Sequence, residues 1–180
     1  VMGTLGCAQC HLGNAQASEK NRAHAGMVLN PGDLRVASET CGQEGCHPSV
    51  VSRVKRSVMA TNSGILASLR RLWPSAAALT VLDLLGQATR QTPAEDYYAK
   101  MCAACHLWWP RGKGQGEQRE RGGGCSACHV GDATTSPDPA WREIRHAILT
   151  IRVPQKNCLR CHNRSARVGL SYQGRLEDDG

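Results

Sequence analysis

The chain has 180 residues, a formal net charge of +7 and no phenylalanine, and aromatic residues make up only 4% of it. A domain of this size normally takes much of its buried apolar area from aromatic side chains, so the composition excludes a conventional aromatic core. No run of about 18–20 apolar residues is present, which excludes a transmembrane helix within this sequence.

The chain divides into three regions that are read as one domain over residues 1–180. Residues 1–48 are rich in Gly, Asn and Ser, and little regular structure is predicted for them. Residues 49–101 have a helical pattern, which Asn62-Ser63-Gly64 is predicted to interrupt and Pro74 to end. The apolar positions of that pattern recur at three- and four-residue steps and are Val50, Val51, Val54, Val58, Ile65, Leu66, Leu69 and Leu72.

Three further helices are predicted after Pro74. One runs through Leu79, Leu82 and Leu85 to a stop near Gly86. The next begins at Thr92-Pro93-Ala94-Glu95, which has the pattern of a capping box, and ends at Cys102. The last begins at Asp138-Pro139 and carries an apolar stripe before Pro154. The stripe consists of Trp141, Ile144, Ile148 and Ile151.

All ten cysteines fall into five motifs in which a histidine directly follows the second cysteine. In each motif the two thiols are suited to thioether bonds with haem vinyl groups, and the histidine is suited to bind the haem iron. In chain order, motifs 1 to 5 are Cys7-x-x-Cys10-His11, Cys41-x-x-x-x-Cys46-His47, Cys102-x-x-Cys105-His106, Cys125-x-x-Cys128-His129 and Cys158-x-x-Cys161-His162. The sequence therefore predicts five covalently attached c-type haems, each with a motif histidine as its proximal ligand.

Three other uses of paired cysteines fit less well. A disulfide framework would not require a histidine after the second cysteine of every pair. Zinc sites use two close cysteine pairs that are separated by a longer stretch of sequence, and they do not need this histidine either. A redox-active Cys-x-x-Cys normally occurs once, at the start of a helix. Haem attachment is therefore preferred for all five motifs, and the porphyrins are expected to supply the apolar core that the aromatic residues do not.

Distal iron ligands are scarce in this chain. After the five proximal histidines only His24 and His146 remain, and both are candidate distal ligands. Met59 and Met27 are candidate thioether ligands, although helix packing explains Met59 equally well. In the last predicted helix, His146 lies away from the apolar stripe, on a side that could meet a porphyrin. Three explanations for the shortage remain open: methionine ligands, histidines donated by a neighbouring chain, or an iron with an open position.

The motifs resemble those of multihaem c-type cytochromes, which pass electrons between membrane carriers, enzymes and external acceptors. The resemblance covers the haem sites and implies a mainly helical fold with extensive loops and little or no β-structure, organised around the haems. It implies an electron-transfer protein with no catalytic residues. Two alternatives are a subunit of a cytochrome filament or larger redox complex, and a multihaem oxidoreductase of small nitrogen or sulfur compounds with one open haem.

The charge and the expected location follow from the same interpretation. Each haem carries propionate groups, so the basic residues are expected to pair with these rather than with nucleic acid. Redox proteins, and further copies of this chain, are the expected partners. Because c-type haem is attached outside the cytoplasm, a periplasmic or extracellular protein is expected, with a targeting segment outside this sequence. The polar run 175–180 raises the further expectation that the chain continues.

Two segments that follow motif 3 have distinctive compositions. Trp108 and Trp109 follow its histidine directly and are expected to pack on a porphyrin edge. The stretch 111–124 is rich in Gly and charged residues and is expected to be a solvated connector or a docking loop.

Overall fold

The computed structural model describes residues 6–74, 80–86, 92–103, 106–112, 122–135, 145–159 and 161–162. Several sequence predictions fall outside these ranges. They concern Leu79, the central part of the charged loop (113–121), Trp141 and Ile144 of the last predicted helix, and the polar run 175–180.

The fold is mainly helical with loops, as the sequence predicted, and the described residues also form a small two-stranded sheet. The first region contains α1 (Cys7–His11) and α2 (Lys20–Ala23). The middle region contains α3 (Pro48–Arg56), α4 (Val58–Thr61), α5 (Ser63–Leu72), α6 (Val81–Gly86) and α7 (Pro93–Met101). The last region contains α8 (Cys125–His129), β1 (Val130–Thr135), β2 (Arg145–Leu149) and α9 (Gln155–Leu159). Among the described residues, no helix is long and apolar enough to cross a membrane.

The middle region confirms the predicted break at Asn62 and adds another at Ser57. Asn62 has a left-handed backbone, with φ 47° and ψ 31°, and separates α4 from α5. Ser57 is extended and caps α4, because its hydroxyl accepts a hydrogen bond from the Ala60 N–H at 3.3 Å. The valine pattern continues through Ser57, so periodicity alone did not reveal this second break.

The capping box predicted for α7 is present. The Thr92 hydroxyl accepts a hydrogen bond from the Glu95 N–H at 3.3 Å, and the Glu95 carboxylate accepts one from the Thr92 N–H at 3.0 Å. These bonds satisfy two amides that the first helical turn leaves unpaired. The helix ends at Met101, with Cys102 as its C-cap, so α7 leads directly into motif 3 as predicted.

The prediction of a last helix is wrong for those of its residues that the structure describes. Residues 145–149 form strand β2, which pairs antiparallel with β1. In the register Val130 lies opposite Leu149, and Thr134 lies opposite His146. The Thr150 N–H continues the contact by donating to the His129 carbonyl at 2.9 Å. The helical spacing of Ile148 and Ile151 was misleading because pairing with a distant strand outweighed local periodicity.

The buried apolar residues form two clusters joined by Trp108. The first cluster consists of Leu34, Ala37, Val51, Ala60 and Leu107, and the second of Leu66, Leu69, Val81 and Tyr98. Trp108 packs against both clusters, and its Nε1–H donates to the Ala60 carbonyl at 2.9 Å. The structure thus assigns Trp108 a position in the protein core between α4, α5 and motif 3.

We expect Tyr98→Phe to destabilise the second cluster. Asn62 donates an Nδ2–H to the Tyr98 hydroxyl at 2.8 Å, and both residues are buried. The substitution leaves the amide without this acceptor and should lower the free energy of unfolding by about 1–3 kcal/mol. Chemical denaturation measures the effect. The matched control is Tyr97→Phe, since Tyr97 is 45% exposed and should change stability by less than about 0.5 kcal/mol. Equal effects of the two substitutions would contradict this explanation.

Candidate functional site

Motifs 1 and 4 each fold as a single helical turn. Helix α1 spans Cys7–His11, and helix α8 spans Cys125–His129. In an α-helix, residues three and four positions apart lie on the same face. Both thiols and the histidine of each motif are therefore presented on one side of the turn, which is the arrangement that one porphyrin would need.

Motif 5 closes in the same way, although α9 ends inside it. The His162 N–H donates to the Cys158 carbonyl at 2.9 Å, and the Cys161 N–H donates to the same carbonyl at 3.2 Å. The first of these is the i to i+4 bond of an α-helix. Motif 5 thus has the backbone closure expected of a helical turn between its first cysteine and its histidine.

The expanded motif 2 keeps this closure despite its two additional residues. The His47 N–H donates to the Cys41 carbonyl at 3.0 Å, and the Cys46 N–H donates to the Gln43 carbonyl at 3.0 Å. Gly45 takes up the extra length with a left-handed backbone, φ +78°, which a side chain would strain. The first cysteine and the histidine of motif 2 are therefore held together as in the shorter motifs.

In motif 3 the histidine is buried and has one unpaired nitrogen. His106 is 2% exposed, its Nδ1 accepts a hydrogen bond from the Trp108 N–H at 3.1 Å, and its buried Nε2 has no hydrogen-bond partner. Burial, with a smaller contribution from the Arg35 charge, lowers the pKa of His106 to about 4. A buried nitrogen without a partner is costly in a folded protein. Cys105 of this motif lies outside the described residues.

Main-chain carbonyls fix the rings of two motif histidines. Nδ1 of His11 lies 2.7 Å from the Val28 carbonyl, and Nδ1 of His129 lies 2.8 Å from the Thr150 carbonyl. A carbonyl only accepts, so Nδ1 carries the proton and Nε2 keeps its lone pair. Metal-bound histidines in proteins are commonly oriented by this type of contact. Both rings are therefore in the tautomer that a haem iron requires.

His24 shares this arrangement, whereas the argument for His146 fails. Nδ1 of His24 lies 2.7 Å from the Lys20 carbonyl, and the side chain is exposed at the end of α2. His24 is thus prepared to ligate through Nε2 in the same way as His11. His146 was assigned by its position on a helical face, and it lies instead in β2 opposite Thr134. That derivation is wrong, so His146 remains a candidate only because histidines are scarce.

The two candidate methionines lie beside different motifs. The Met27 N–H donates to the His24 carbonyl, and the Val28 N–H donates to the His11 carbonyl, so Met27 lies near motif 1. The Met59 carbonyl accepts from the Leu107 N–H at 3.2 Å, which places Met59 beside motif 3. Their side chains are 38% and 44% exposed, respectively.

Contacts between motifs involve polar residues that the sequence did not identify. The Asn157 side chain donates to the Cys128 carbonyl at 2.8 Å and so ties motif 5 to motif 4. The Ser126 hydroxyl donates to the Asn30 side chain at 2.6 Å, which ties motif 4 to the segment before motif 2. In the sequence, only their position next to a motif cysteine could have pointed to Asn157 and Ser126 as contact residues. No local feature of the sequence pointed to Asn30.

Neither a disulfide nor a cluster of metal ligands is present in the part of the chain that the structure describes. No disulfide joins its nine cysteines. No three His, Cys, Asp or Glu side chains of that part converge to hold a metal ion. A c-type haem differs from such a cluster, because its iron is already held by the porphyrin and needs only axial ligands from the protein.

The described residues fit a covalently attached haem at four motifs. The closed turns of motifs 1, 2, 4 and 5 and the oriented rings of His11 and His129 match what the group needs. Motif 3 offers the unpaired Nε2 of His106, although its ring proton must move from Nε2 to Nδ1 for ligation. No protein-family model, curated protein or solved structure matches the chain.

Proposed function

We propose that the chain carries five covalently bound c-type haems and transfers electrons among them outside the cytoplasm. The observation that carries this proposal is the backbone closure of the motifs. Three motifs of common form close as a helical turn, and the expanded motif forms the same cysteine-to-histidine hydrogen bond through a different loop. Haem attachment requires two thiols and a histidine on one side of a turn. This requirement explains why motif 2 keeps the hydrogen bond between its first cysteine and its histidine despite its two additional residues.

The residues of the chain have separate roles in this proposal. The ten cysteines attach the haems, and His11, His47, His106, His129 and His162 bind the irons from one side. The Val28 and Thr150 carbonyls orient two of these histidines and increase their basicity. When bound, the haem iron supplies a one-electron couple between its ferrous and ferric states. No residue is proposed to be catalytic, and redox proteins are the proposed partners.

Spectroscopy of the oxidised protein separates electron transfer from its alternatives. Electron paramagnetic resonance counts low-spin haems, which have two axial ligands, and high-spin haems, which have an open position. An electron-transfer chain should be fully low-spin and should not bind cyanide or carbon monoxide. A stoichiometric high-spin haem that binds them would indicate an oxidoreductase instead. Low-spin haems that appear only in an oligomer would indicate ligands donated between chains, as in a filament or redox complex.

We expect His24→Ala to convert one of the five haems from low-spin to high-spin. The ring of His24 has the tautomer and the exposed Nε2 that an axial ligand needs, and alanine removes both. The change is measured by electron paramagnetic resonance of the ferric protein. Lys20→Ala is the matched control, because it keeps the carbonyl that orients His24 and should leave the spectrum unchanged. A fully low-spin His24→Ala protein would remove His24 from the set of ligands.

A further inference from the structure

Motifs 2 and 4 are far apart in sequence but share one supporting segment, residues 30–34. The Cys125 N–H donates to the Gly32 carbonyl at 2.8 Å, and Ser126 donates to Asn30. Cys41 contacts the same segment, because its thiol donates to the Pro31 carbonyl with an Sγ-to-oxygen distance of 3.8 Å. Both cysteines therefore contact the same turn of the chain.

The apolar surroundings of the two cysteines are also shared. Cys41 and Cys125 both pack against the first cluster, which Leu34 and Ala37 help to form. The approach depends on glycine: a Cβ on Gly32 would collide with the Ser126 hydroxyl and lie 2.7 Å from the Ser126 nitrogen. A backbone contact this close holds motif 4 against residues 30–34.

Interaction between the Cys41 and Cys125 side chains lowers the pKa of the Cys41 thiol to about 6 and raises the pKa of Cys125, which burial raises further. The two side chains thus lie close together against the first cluster. Each is also the first cysteine of its motif, and hence a proposed point of haem attachment.

The remaining motifs connect to this pair. The Gln43 side chain in motif 2 donates to the Gln9 carbonyl in motif 1 at 2.7 Å. The Gly124 N–H, directly before motif 4, donates to the Leu107 carbonyl, directly after motif 3, at 2.6 Å. The Asn157 side chain, directly before motif 5, donates to the Cys128 carbonyl of motif 4. Motif 4 therefore contacts motifs 2, 3 and 5, and motif 1 is reached through motif 2.

We propose that the haem of motif 4 is the junction of a branched array, with the haem of motif 2 as its direct neighbour. This inference rests on the proposed haem attachment. An electron entering at motif 1 would pass to motif 2, then to motif 4, and leave through motif 3 or motif 5. In each step one ferrous iron is oxidised as the next ferric iron is reduced, and no proton or atom is transferred. The order of the haems in space would thus differ from the order of their motifs in the sequence.

Replacement of proximal histidines tests this arrangement while leaving every cysteine in place. His47→Gly and His129→Gly should each give one high-spin haem with its own resonance signal. In the double variant the two high-spin irons would be neighbours, and their spin–spin interaction should broaden the signal, so most of the summed high-spin intensity is lost. The control is His11→Gly with His162→Gly, from opposite ends of the proposed array, whose signals should add.

Additive signals from His47→Gly with His129→Gly, in a protein that retains five haems, would overturn the proposed junction. Fewer than five attached haems in the unsubstituted protein would instead contradict the proposed function, so the two failures are distinguishable. If the double variant does not fold, the single variants still decide. The high-spin signal of His129→Gly, with three neighbouring haems, should saturate at higher microwave power than that of His162→Gly, with one. Equal saturation would contradict the central position of motif 4.

Discussion

Without attached haem, the chain is expected to lose its cooperative folding transition. Among the described residues, fourteen large apolar side chains are exposed and ten apolar residues are buried. Exposed groups include Ile151 at 93%, Leu29 at 70% and Leu72 at 69%. We expect another group to cover part of this apolar surface, because the buried apolar core of the protein is small. Five porphyrins would cover much of it, and each thioether pair would also restrain the unfolded chain, as other covalent cross-links do.

This expectation is measured by circular dichroism on protein made with and without c-type haem maturation. The haem-loaded protein should unfold in a cooperative thermal transition. The haem-free chain, kept reduced, should show weak helicity and a gradual, non-cooperative change with temperature. A variant with alanine at all ten cysteines is the control for thiol chemistry and should behave like the haem-free chain. A cooperative transition in that variant would show that the protein core is sufficient without haem.

Gly124→Ala is expected to be the most damaging single substitution outside the motif residues. Gly124 has φ +64°, a backbone region that alanine adopts only with strain. Its added Cβ would also collide with the Gly32 carbonyl and lie 3.1 Å from the Leu34 nitrogen. Backbone atoms cannot move aside without separating motif 4 from residues 30–34. The free energy of unfolding of the haem-loaded protein should fall by about 3 kcal/mol or more.

Gly64→Ala is the matched control for this prediction. Gly64 lies in helix α5, and a Cβ added there would meet nothing within 4 Å. Alanine is the better helix former, so the substitution should raise stability by about 0.5–1 kcal/mol. Denaturant unfolding compares the two variants under the same conditions. Similar stabilities of Gly124→Ala and the unchanged protein would show that residues 30–34 and motif 4 are not in close contact.

Local patterns in the sequence predicted several features that the structure confirms. The break at Asn62, the capping box at Thr92 and the end of the helix at Gly86 each depend on residues within one or two helical turns. Such signals are reliable because the hydrogen bonds they describe are formed between near neighbours. The motifs themselves belong to the same class, since each occupies five to seven consecutive residues.

Features that depend on distant parts of the chain were not predictable in this way. Residues 145–149 have helical spacing, but they pair with β1, whose position no local pattern reveals. The carbonyls of Val28 and Thr150 orient His11 and His129 from 17 and 21 residues away, respectively. The contact between motif 4 and residues 30–34 depends on Gly32 and Gly124, two of 19 glycines in the chain. Composition and spacing do not distinguish these two from the others.

The covalent state of the ten cysteines tests the central claim most directly. Protein from a host that attaches c-type haem should be denatured, treated with a thiol-alkylating reagent and weighed by intact mass spectrometry. We expect a chain carrying five haems with no alkylated cysteine, and a haem on the peptide that contains Cys41 and Cys46. Alkylated cysteines, disulfides or stoichiometric zinc in place of haem would contradict it.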